Sequence, residues 1–234
     1  MHHHVAVPGR RRRFAADAGH ELRTPLTSMR ANLDALARNP DLASAERARI
    51  LADVTREQDR LVRLLDALQA LARGDASLPP PEPVDLADVA DAAVERIRAA
   101  HRGLAVELVA GHEDLEISGS AEGLRIVLDN LLQNAARHGR PCGTVRVGLE
   151  RNGGDCVLTV DDDGPGIPVS DRRRVLERFA RGASAVGPGS GLGLALVQQQ
   201  TRLHGGTVTI GDSDLGGARI SVRLPGATAR GPRR

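Results

Sequence analysis

The sequence from residue 121 to residue 138 is AEGLRIVLDNLLQNAARH, which predicts one amphipathic helix. Its apolar positions are spaced 4, 3 and 4 residues apart and form the face that we expect to turn to a core: Leu124, Leu128, Leu131 and Ala135. Asn130 and Asn134 are four residues apart and share another side of the helix. We call this segment the reference helix.

The two asparagines favour a functional explanation, because Asn is mildly unfavourable in the middle of a helix. Their amide oxygens can bind a hard cation, or hold its water ligands, without adding charge. Arg137 lies one turn beyond Asn134, where a guanidinium can reach phosphate oxygens. The helix is therefore a candidate wall of a metal and phosphate site.

Downstream of the helix, alternating patterns predict strands over residues 144–150 and 156–160. The second strand leads into Asp161-Asp162-Asp163-Gly164-Pro165-Gly166-Ile167-Pro168. An Asp at a strand end followed by Gly-x-Gly lets the backbone approach a flat ligand, and the carboxylate can then accept from an exocyclic amine. An ordinary acidic turn has the same composition, so this motif alone does not decide between the two.

A glycine-rich loop over residues 182–193 follows a helix predicted for 170–178 and opens onto a helix predicted for 194–204. The free N–H groups and the positive dipole end of the later helix suit a phosphate. The loop is not a Walker loop, because no Lys-Ser/Thr follows its glycines, and no strand leads directly into it as in a Rossmann fold. Strands over 207–210 and 218–224 close the chain.

Upstream of the reference helix, we predict a helix over residues 85–100 and a strand over 104–109. Several strands with helices on one face predict a two-layer α/β sandwich. The run Pro79-Pro80-Pro81-Glu82-Pro83 predicts a stiff, extended linker before it.

Residues 14–74 carry leucine-rich heptad seams on two helices, with a break at Asn39-Pro40-Asp41. The seam positions are Leu22, Leu26, Met29, Leu33 and Leu36, then Ile50, Val54, Glu57, Leu61, Leu64, Leu68 and Leu71. A lone two-helix hairpin cannot enclose its seam from all sides. We therefore expect two chains to pair into a four-helix bundle.

The first of these helices contains His20-Glu21-Leu22-Arg23-Thr24-Pro25. At about 100° per residue, His20 lies about 150° from the seam centre and faces solvent together with Thr24. An exposed imidazole beside a carboxylate is a candidate nucleophile. A solvated surface histidine is the alternative, and the pattern alone leaves the two open. A zinc site of the His-Glu-x-x-His type is excluded, because Thr24 stands where the second histidine would be.

Composition restricts the function classes. The formal charge is +2 and acids alternate with bases, which argues against a dedicated nucleic-acid binder. There is no stretch of about 18 apolar residues that could span a bilayer and no signal-peptide pattern. Cys142 and Cys156 are expected to be free thiols in a reducing compartment. Arg10–Arg13 are either a solvated end or a juxtamembrane segment. His2–His4 are either a tag remnant or a chance run, and the fold prediction leaves them out.

The order of the four motifs over about residues 14–225 resembles the bacterial two-component sensor histidine kinases, and within them the PrrB-like subtype. The resemblance implies an all-α helical hairpin, paired as a dimeric four-helix bundle, followed by a two-layer α/β sandwich of the GHKL (Bergerat) ATPase type. The implied ranges are an N-terminal or juxtamembrane segment over 1–13, a dimerisation and phosphotransfer domain over 14–75, a linker over 76–84, a catalytic ATP-binding domain over 85–226 and a tail over 227–234.

The resemblance also implies site residues. His20 would be phosphorylated, with Glu21 as its base, and Thr24 would orient a water molecule for dephosphorylation of a partner. Asn130 and Asn134 would hold Mg²⁺; Arg137 stands where the family often has Lys, and His138 where it usually has Tyr. The implied ATP-binding residues are Asn130, Asn134, Arg137, His138, Asp162, Gly164, Gly166, Phe179, Gly189, Gly191, Leu192 and Gly193.

The implied activity is autophosphorylation of His20 from ATP and transfer to an Asp of a cognate response regulator, with phosphatase activity toward that partner. The implied protein is a homodimer that binds no nucleic acid directly, and this chain is the cytoplasmic part of a protein of the inner membrane.

Two other classes remain as alternatives. Chaperones, topoisomerases and mismatch-repair ATPases of the GHKL type share the nucleotide motifs but lack a His-Glu-x-x-Thr hairpin. A non-catalytic dimeric scaffold could bind nucleotide as a ligand, but the intact Asn134, Asp162 and loop glycines argue against it.

Overall fold

The computed structural model describes residues 8–73, 80–111, 114–180 and 190–226. The chain divides into two units, Met1–Ala72 and Arg73–Arg234. Among the described residues, no helix has both the length and the apolarity to cross a bilayer.

The first unit is the predicted helical hairpin, with α1 over Pro8–Arg38 and α2 over Ser44–Arg73. The break falls where the sequence places it, since proline disfavours helical conformation in the residue before it. The Asn39 amide donates to the carbonyl of Ala35 at 2.9 Å, and the Arg47 guanidinium donates to the carbonyl of Pro40 at 2.8 Å. These two bonds hold the turn between the helices.

The seam of this single hairpin is only partly buried. Leu64 and Leu71 of α2 are 3% exposed, whereas Leu26 and Leu33 of α1 are 54% and 49% exposed. An apolar row that stays half exposed in one chain is consistent with the predicted pairing of two chains. The dimer itself stays a prediction.

The second unit is a two-layer α/β sandwich. Its elements are β1 (Glu82–Asp85), α3 (Leu86–Ala100), β2 (Ala105–Ala110), β3 (Glu116–Gly119), α4 (Ala121–His138), β4 (Thr144–Asn152), β5 (Asp155–Asp161), a 3₁₀ turn (Arg174–Leu176), α5 (Gly193–Leu203), β6 (Thr207–Asp212) and β7 (Ala218–Pro225). The main sheet has the order β2-β4-β5-β7-β6, with β2 parallel to β4 and the other neighbours antiparallel. The predicted sandwich is confirmed.

The core between sheet and helices is aliphatic, as expected from a sequence with two Phe and no Tyr or Trp. Leu124, Leu128 and Leu131 of α4 are at most 1% exposed, so the predicted inner face of this helix is confirmed. They pack in one cluster with side chains of β4, β5 and β7.

Two stretches differ from the elements that the sequence predicts. Residues 82–85 form β1, antiparallel to β3, so the α/β unit begins inside the predicted linker over 76–84. Only Val84 of this strand is buried, and its prolines resemble those of a linker. Residues 170–178 form turns and one 3₁₀ turn instead of a helix, because only Asp171 and Val175 there are buried and so short a helix is marginal without a packed face. Residues 182–189 of the predicted loop lie outside the described residues.

Candidate functional site

His20 projects from the exposed side of α1, as its heptad position predicts. Thr24 is also exposed, and its hydroxyl donates to the carbonyl of His20 at 3.4 Å. The two side chains therefore occupy one face, a turn apart. Pro25, which follows Thr24, is buried against the hairpin.

Glu21 points to the other helix of the hairpin. Nη2 of Arg60 on α2 lies 3.4 Å from Oε2 of Glu21, and Nη1 of Arg60 lies 3.7 Å from Oε2 of Glu57. That Glu57 oxygen is buried and has no hydrogen bond among the described residues. Sequence reasoning missed Arg60, although a charged residue in the heptad seam at position 57 was a signal that a cation lies nearby.

In the second unit, α4 and α5 bring two of the predicted motifs together. The Asn130 amide nitrogen donates to the carbonyl of Ile126 at 2.8 Å, which leaves its Oδ1 available for a ligand. A Cβ placed on Gly193 would lie 3.0 Å from that oxygen, so the first residue of α5 passes directly beside Asn130. The N-cap residue of α5, Leu192, makes no side-chain capping hydrogen bond. Oδ1 of Asn130 and the N–H groups at the start of α5 therefore lie close together. Asn134, which is half-buried, lies one turn further along α4.

The three consecutive aspartates, of which the family resemblance implies Asp162 as the ligand-binding one, have three different environments. Asp161 is 2% exposed and accepts from Nε and Nη2 of Arg219 at 2.7 and 3.1 Å. Asp163 accepts from the backbone N–H groups of Arg140 and Thr144, both at 2.9 Å. Desolvation raises the pKa of Asp163, but these hydrogen bonds outweigh it and leave the pKa below its ordinary value. Both carboxylates are therefore engaged in structure.

Asp162 is the aspartate that remains for a ligand. It is 5% exposed, and its Oδ1 accepts from the N–H groups of Gly164 and Ala218, both at 3.0 Å. Both hydrogen bonds that the described residues donate to this carboxylate end on Oδ1, which leaves Oδ2 to accept from a bound molecule. Burial raises the pKa of Asp162, although the two hydrogen bonds oppose the shift.

Gly164 determines how closely the loop that contains Asp162 approaches α4. A Cβ on Gly164 would overlap the carbonyl oxygen of His138, so only glycine lets the loop lie against the end of the helix. Asn130 and His138 are eight residues apart, about 12 Å along a helix axis. The buried carboxylate and the amide-lined phosphate cradle therefore lie at opposite ends of one wall, a separation that a nucleoside triphosphate can span.

The ends of the glycine-rich loop also meet. Gly191 has a φ of 65°, and a Cβ there would lie 2.6 Å from the carbonyl oxygen of Ala180. Phe179 has a φ of 61°, which is unfavourable for a residue with a side chain and is concentrated at functional sites. Phe179 and Gly191 are thus neighbours, and Leu192, the residue after Gly191, is buried. Gly189 lies outside the described residues.

The remaining predicted residues lie on the same wall. Arg137 and His138 form the last turn of α4, and Gly166, with a φ of 73°, follows Gly164 in the loop. Within the described ranges, no group of three or more His, Cys, Asp or Glu side chains is arranged to hold a metal ion. This is compatible with Mg²⁺, which keeps several waters and binds through substrate phosphates and few protein ligands.

Comparison with known proteins identifies the class. Residues 10–77 match the family described as His Kinase A (phospho-acceptor) domain, and residues 119–228 match the histidine kinase-, DNA gyrase B- and HSP90-like ATPases. The crystal structure of the ATP binding domain of PrrB from Mycobacterium tuberculosis is 37% identical, with a TM-score of 0.55 over 63% of this chain and 98% of that one. The chain belongs to the sensor histidine kinase family.

Two curated relatives within this family are similar to most of this chain. The sensor-type histidine kinase PrrB of Mycobacterium tuberculosis (strain ATCC 25618 / H37Rv) is 44% identical over 216 residues, which are 92% of this chain and 48% of that protein. The signal transduction histidine-protein kinase/phosphatase MprB of Mycobacterium bovis (strain BCG / Pasteur 1173P2) is 43% identical over 233 residues, 93% of this chain and 45% of that protein. The PrrB-like assignment is confirmed, and the chain spans about half the length of these relatives.

Proposed function

We propose that this chain binds ATP in the α/β unit, phosphorylates His20 and passes the phosphoryl group to an Asp of a response regulator. The observation that carries the proposal is the arrangement along α4. Asn130 lies beside the start of α5, and His138 lies beside the loop that presents the free oxygen of Asp162.

In the first step a ring nitrogen of His20 attacks the γ-phosphorus of ATP. The bond between that phosphorus and the β,γ-bridging oxygen breaks, ADP leaves, and Glu21 takes the imidazole proton. Such a transfer needs positioning and charge neutralisation more than covalent help from the protein. The nitrogen–phosphorus bond is labile, which suits onward transfer to a carboxylate.

The side chains in the ATP site have separate roles. Oδ2 of Asp162 accepts from the adenine amine, Gly164 and Gly166 allow close approach to the base, and Phe179 precedes the glycine-rich loop. Gly189, Gly191, Leu192 and Gly193 supply backbone N–H groups, with Arg137, for the phosphates. Asn130 and Asn134 would hold Mg²⁺, which supplies charge neutralisation on the phosphates when bound.

The hairpin is proposed to dimerise through the half-exposed leucines of α1 and α2, as a four-helix bundle. The full-length protein is proposed to be anchored in the cell membrane by segments beyond this chain, with these domains in the cytoplasm. The relatives that it matches are about twice as long, and Arg10–Arg13 suit the cytoplasmic side of a membrane.

The direct test uses γ-labelled ATP and Mg²⁺ with the wild-type protein and with His20→Gln. Label that is stable in base, labile in acid and absent from the variant supports the kinase. Hydrolysis without labelled protein would instead indicate a GHKL ATPase of another type. Nucleotide binding without turnover would indicate a scaffold.

The phosphatase function has its own control in the same helix. Thr24 and Thr27 are both exposed, and each hydroxyl donates to a carbonyl four residues earlier. We expect Thr24→Ala to keep autophosphorylation and to slow dephosphorylation of the partner regulator, whereas Thr27→Ala keeps both. Equal loss of both activities in Thr24→Ala would contradict the role of Thr24.

A further inference from the structure

The turn between β6 and β7 lies against the nucleotide-facing aspartate, although none of the sequence motifs includes it. The N–H of Ala218 donates to Oδ1 of Asp162 at 3.0 Å, and the N–H of Gly217 donates to its backbone carbonyl at 3.1 Å. A Cβ on Gly217 would overlap Oδ1 of Asp162. The turn therefore fixes which carboxylate oxygen is occupied and which one is free.

Arg219 connects this turn to the sheet. Its guanidinium donates to both oxygens of Asp161 on β5, at 2.7 and 3.1 Å, and Nη2 also donates to Asp214 in the turn at 3.0 Å. Asp161 and Arg219 are direct partners in the β5–β7 register, next to the pair formed by Asp162 and Ala218. The Arg219 side chain thus joins β5, which ends directly before Asp162, to the turn that orients Asp162.

We infer that Arg219 is a positioning residue for base recognition, which holds the β6–β7 turn against Asp162 so that Oδ2 faces the adenine amine. The inference rests on the proposed function, because it requires that the α/β unit binds ATP. Arg219 does not act on the nucleotide itself; it acts through Asp161 and the turn.

Arg219 contacts two carboxylates, Asp161 and Asp214, and their different burial decides which ion pair contributes more to stability. The Asp161 side chain is 3% exposed, and removing its cation would leave a buried charge without compensation, which is strongly unfavourable. The Asp214 side chain is 78% exposed, so its pair with Arg219 contributes little to stability but limits where the turn can move. Arg172 also reaches this hairpin, but its partner Asp212 is 81% exposed, which makes it the weaker connection.

The test measures base recognition apart from phosphate binding. Competition against a fluorescent ATP analogue gives the affinities of ATP and of purine riboside triphosphate, which lacks only the exocyclic amine. In Arg219→Gln we expect ATP to bind about tenfold more weakly, the factor that one lost hydrogen bond is worth. Purine riboside triphosphate should bind as it does to the wild type, so the ratio of the two affinities falls about tenfold.

The matched control lies on the same strand. Arg223 pairs with Asp155 across the same two strands, at 3.0 Å, but four residues further from Asp162. Arg223→Gln should leave the ratio of the two affinities unchanged. If Arg219→Gln does not fold, Arg219→Lys replaces it: the ammonium still compensates Asp161 but cannot form the same fork, so the ratio should fall by less.

Three results would overturn the inference. The first is an unchanged ratio in a folded Arg219→Gln or Arg219→Lys protein, and the second is an equal loss for both nucleotides, which would indicate a structural role alone. The third is a wild-type protein that binds neither nucleotide; in that case the proposed function fails as well, which distinguishes it from the other two results.

Discussion

Replacing Asp162 by Asn tests two effects of this carboxylate separately. One is its contribution to ATP binding, and the other is its effect on the stability of the fold. The substitution keeps the shape, and the amide oxygen can still accept from the N–H groups of Gly164 and Ala218 that now end on Oδ1. The amide nitrogen then occupies the position of Oδ2. A donor therefore faces the adenine amine, where the wild-type protein presents an acceptor.

The expected loss follows from that single contact. A hydrogen bond to a charged acceptor is worth about 1.5–3 kcal/mol. At about 1.4 kcal/mol per factor of ten, ATP should bind roughly 10- to 160-fold more weakly. Purine riboside triphosphate has no amine to lose, so its affinity should not change.

The effect on stability has the opposite sign. Burial raises the pKa of Asp162 above its unfolded value, against two opposing hydrogen bonds. Between the ordinary and the raised pKa the folded state binds more protons than the unfolded state, so stability falls as the pH rises through this window. At neutral pH the ionised carboxylate therefore costs stability, and Asp162→Asn should raise the melting temperature. The gain should shrink as the pH falls through the same window, from the raised pKa of Asp162 to the ordinary pKa of an aspartate.

The assay is a pair of measurements on the same samples: competition binding of the two nucleotides, and thermal unfolding from about pH 4 to about pH 8. Unchanged ATP affinity in the variant would refute the role of Asp162 in base recognition. A lower melting temperature at neutral pH would refute the argument that its burial is unfavourable to folding.

Two further substitutions test contacts that hold the site in place. The pKa of Asp163 is lowered, because the backbone hydrogen bonds of the α4–β4 loop outweigh desolvation, so its contribution to stability is present above the ordinary pKa and is lost as the pH falls through the lowered one. Asp163→Asn should therefore destabilise the protein by about 1–3 kcal/mol at neutral pH and by little in acid. Urea unfolding at neutral and at acid pH measures this difference. An equal loss of stability at both pH values would contradict the role of Asp163. Arg60→Met should lower the unfolding temperature of the hairpin and slow phosphorylation of His20 with ATP affinity unchanged, since Glu21 loses its partner at 3.4 Å. Arg56→Met is the control on the same helix, because its partner lies within α2, and the same decrease there would exclude a specific role for Arg60.

Local patterns sufficed for most elements. The bounds of α4 agree with the prediction, and the hairpin break falls at Asn39-Pro40, because amphipathic periodicity and proline geometry act over a few neighbouring residues. The predictions failed where burial came from distant residues. The strand over Glu82–Asp85 exists because β3 pairs with it, and no helix forms over residues 170–178 because no apolar stripe there meets a core.

The features of the candidate site also fall into those that local sequence patterns predict and those that depend on distant residues. The sequence by itself determined that His20 faces outward, that Asn130 and Asn134 share a side of one helix, and that a glycine-rich loop precedes another helix. These are consequences of helical period and residue type, which need no knowledge of the remaining chain.

The family resemblance implied Asp162, but only the tertiary structure showed the physical reason why Asp162, and not Asp161 or Asp163, is available to a ligand. Arg219 occupies Asp161, the α4–β4 loop occupies Asp163, and the turn before Ala218 leaves one oxygen of Asp162 free. Each of these partners is far away along the chain. A carboxylate's hydrogen bonds, and with them its role, depend on which groups folding brings within about 3 Å, and residue order alone does not contain that information.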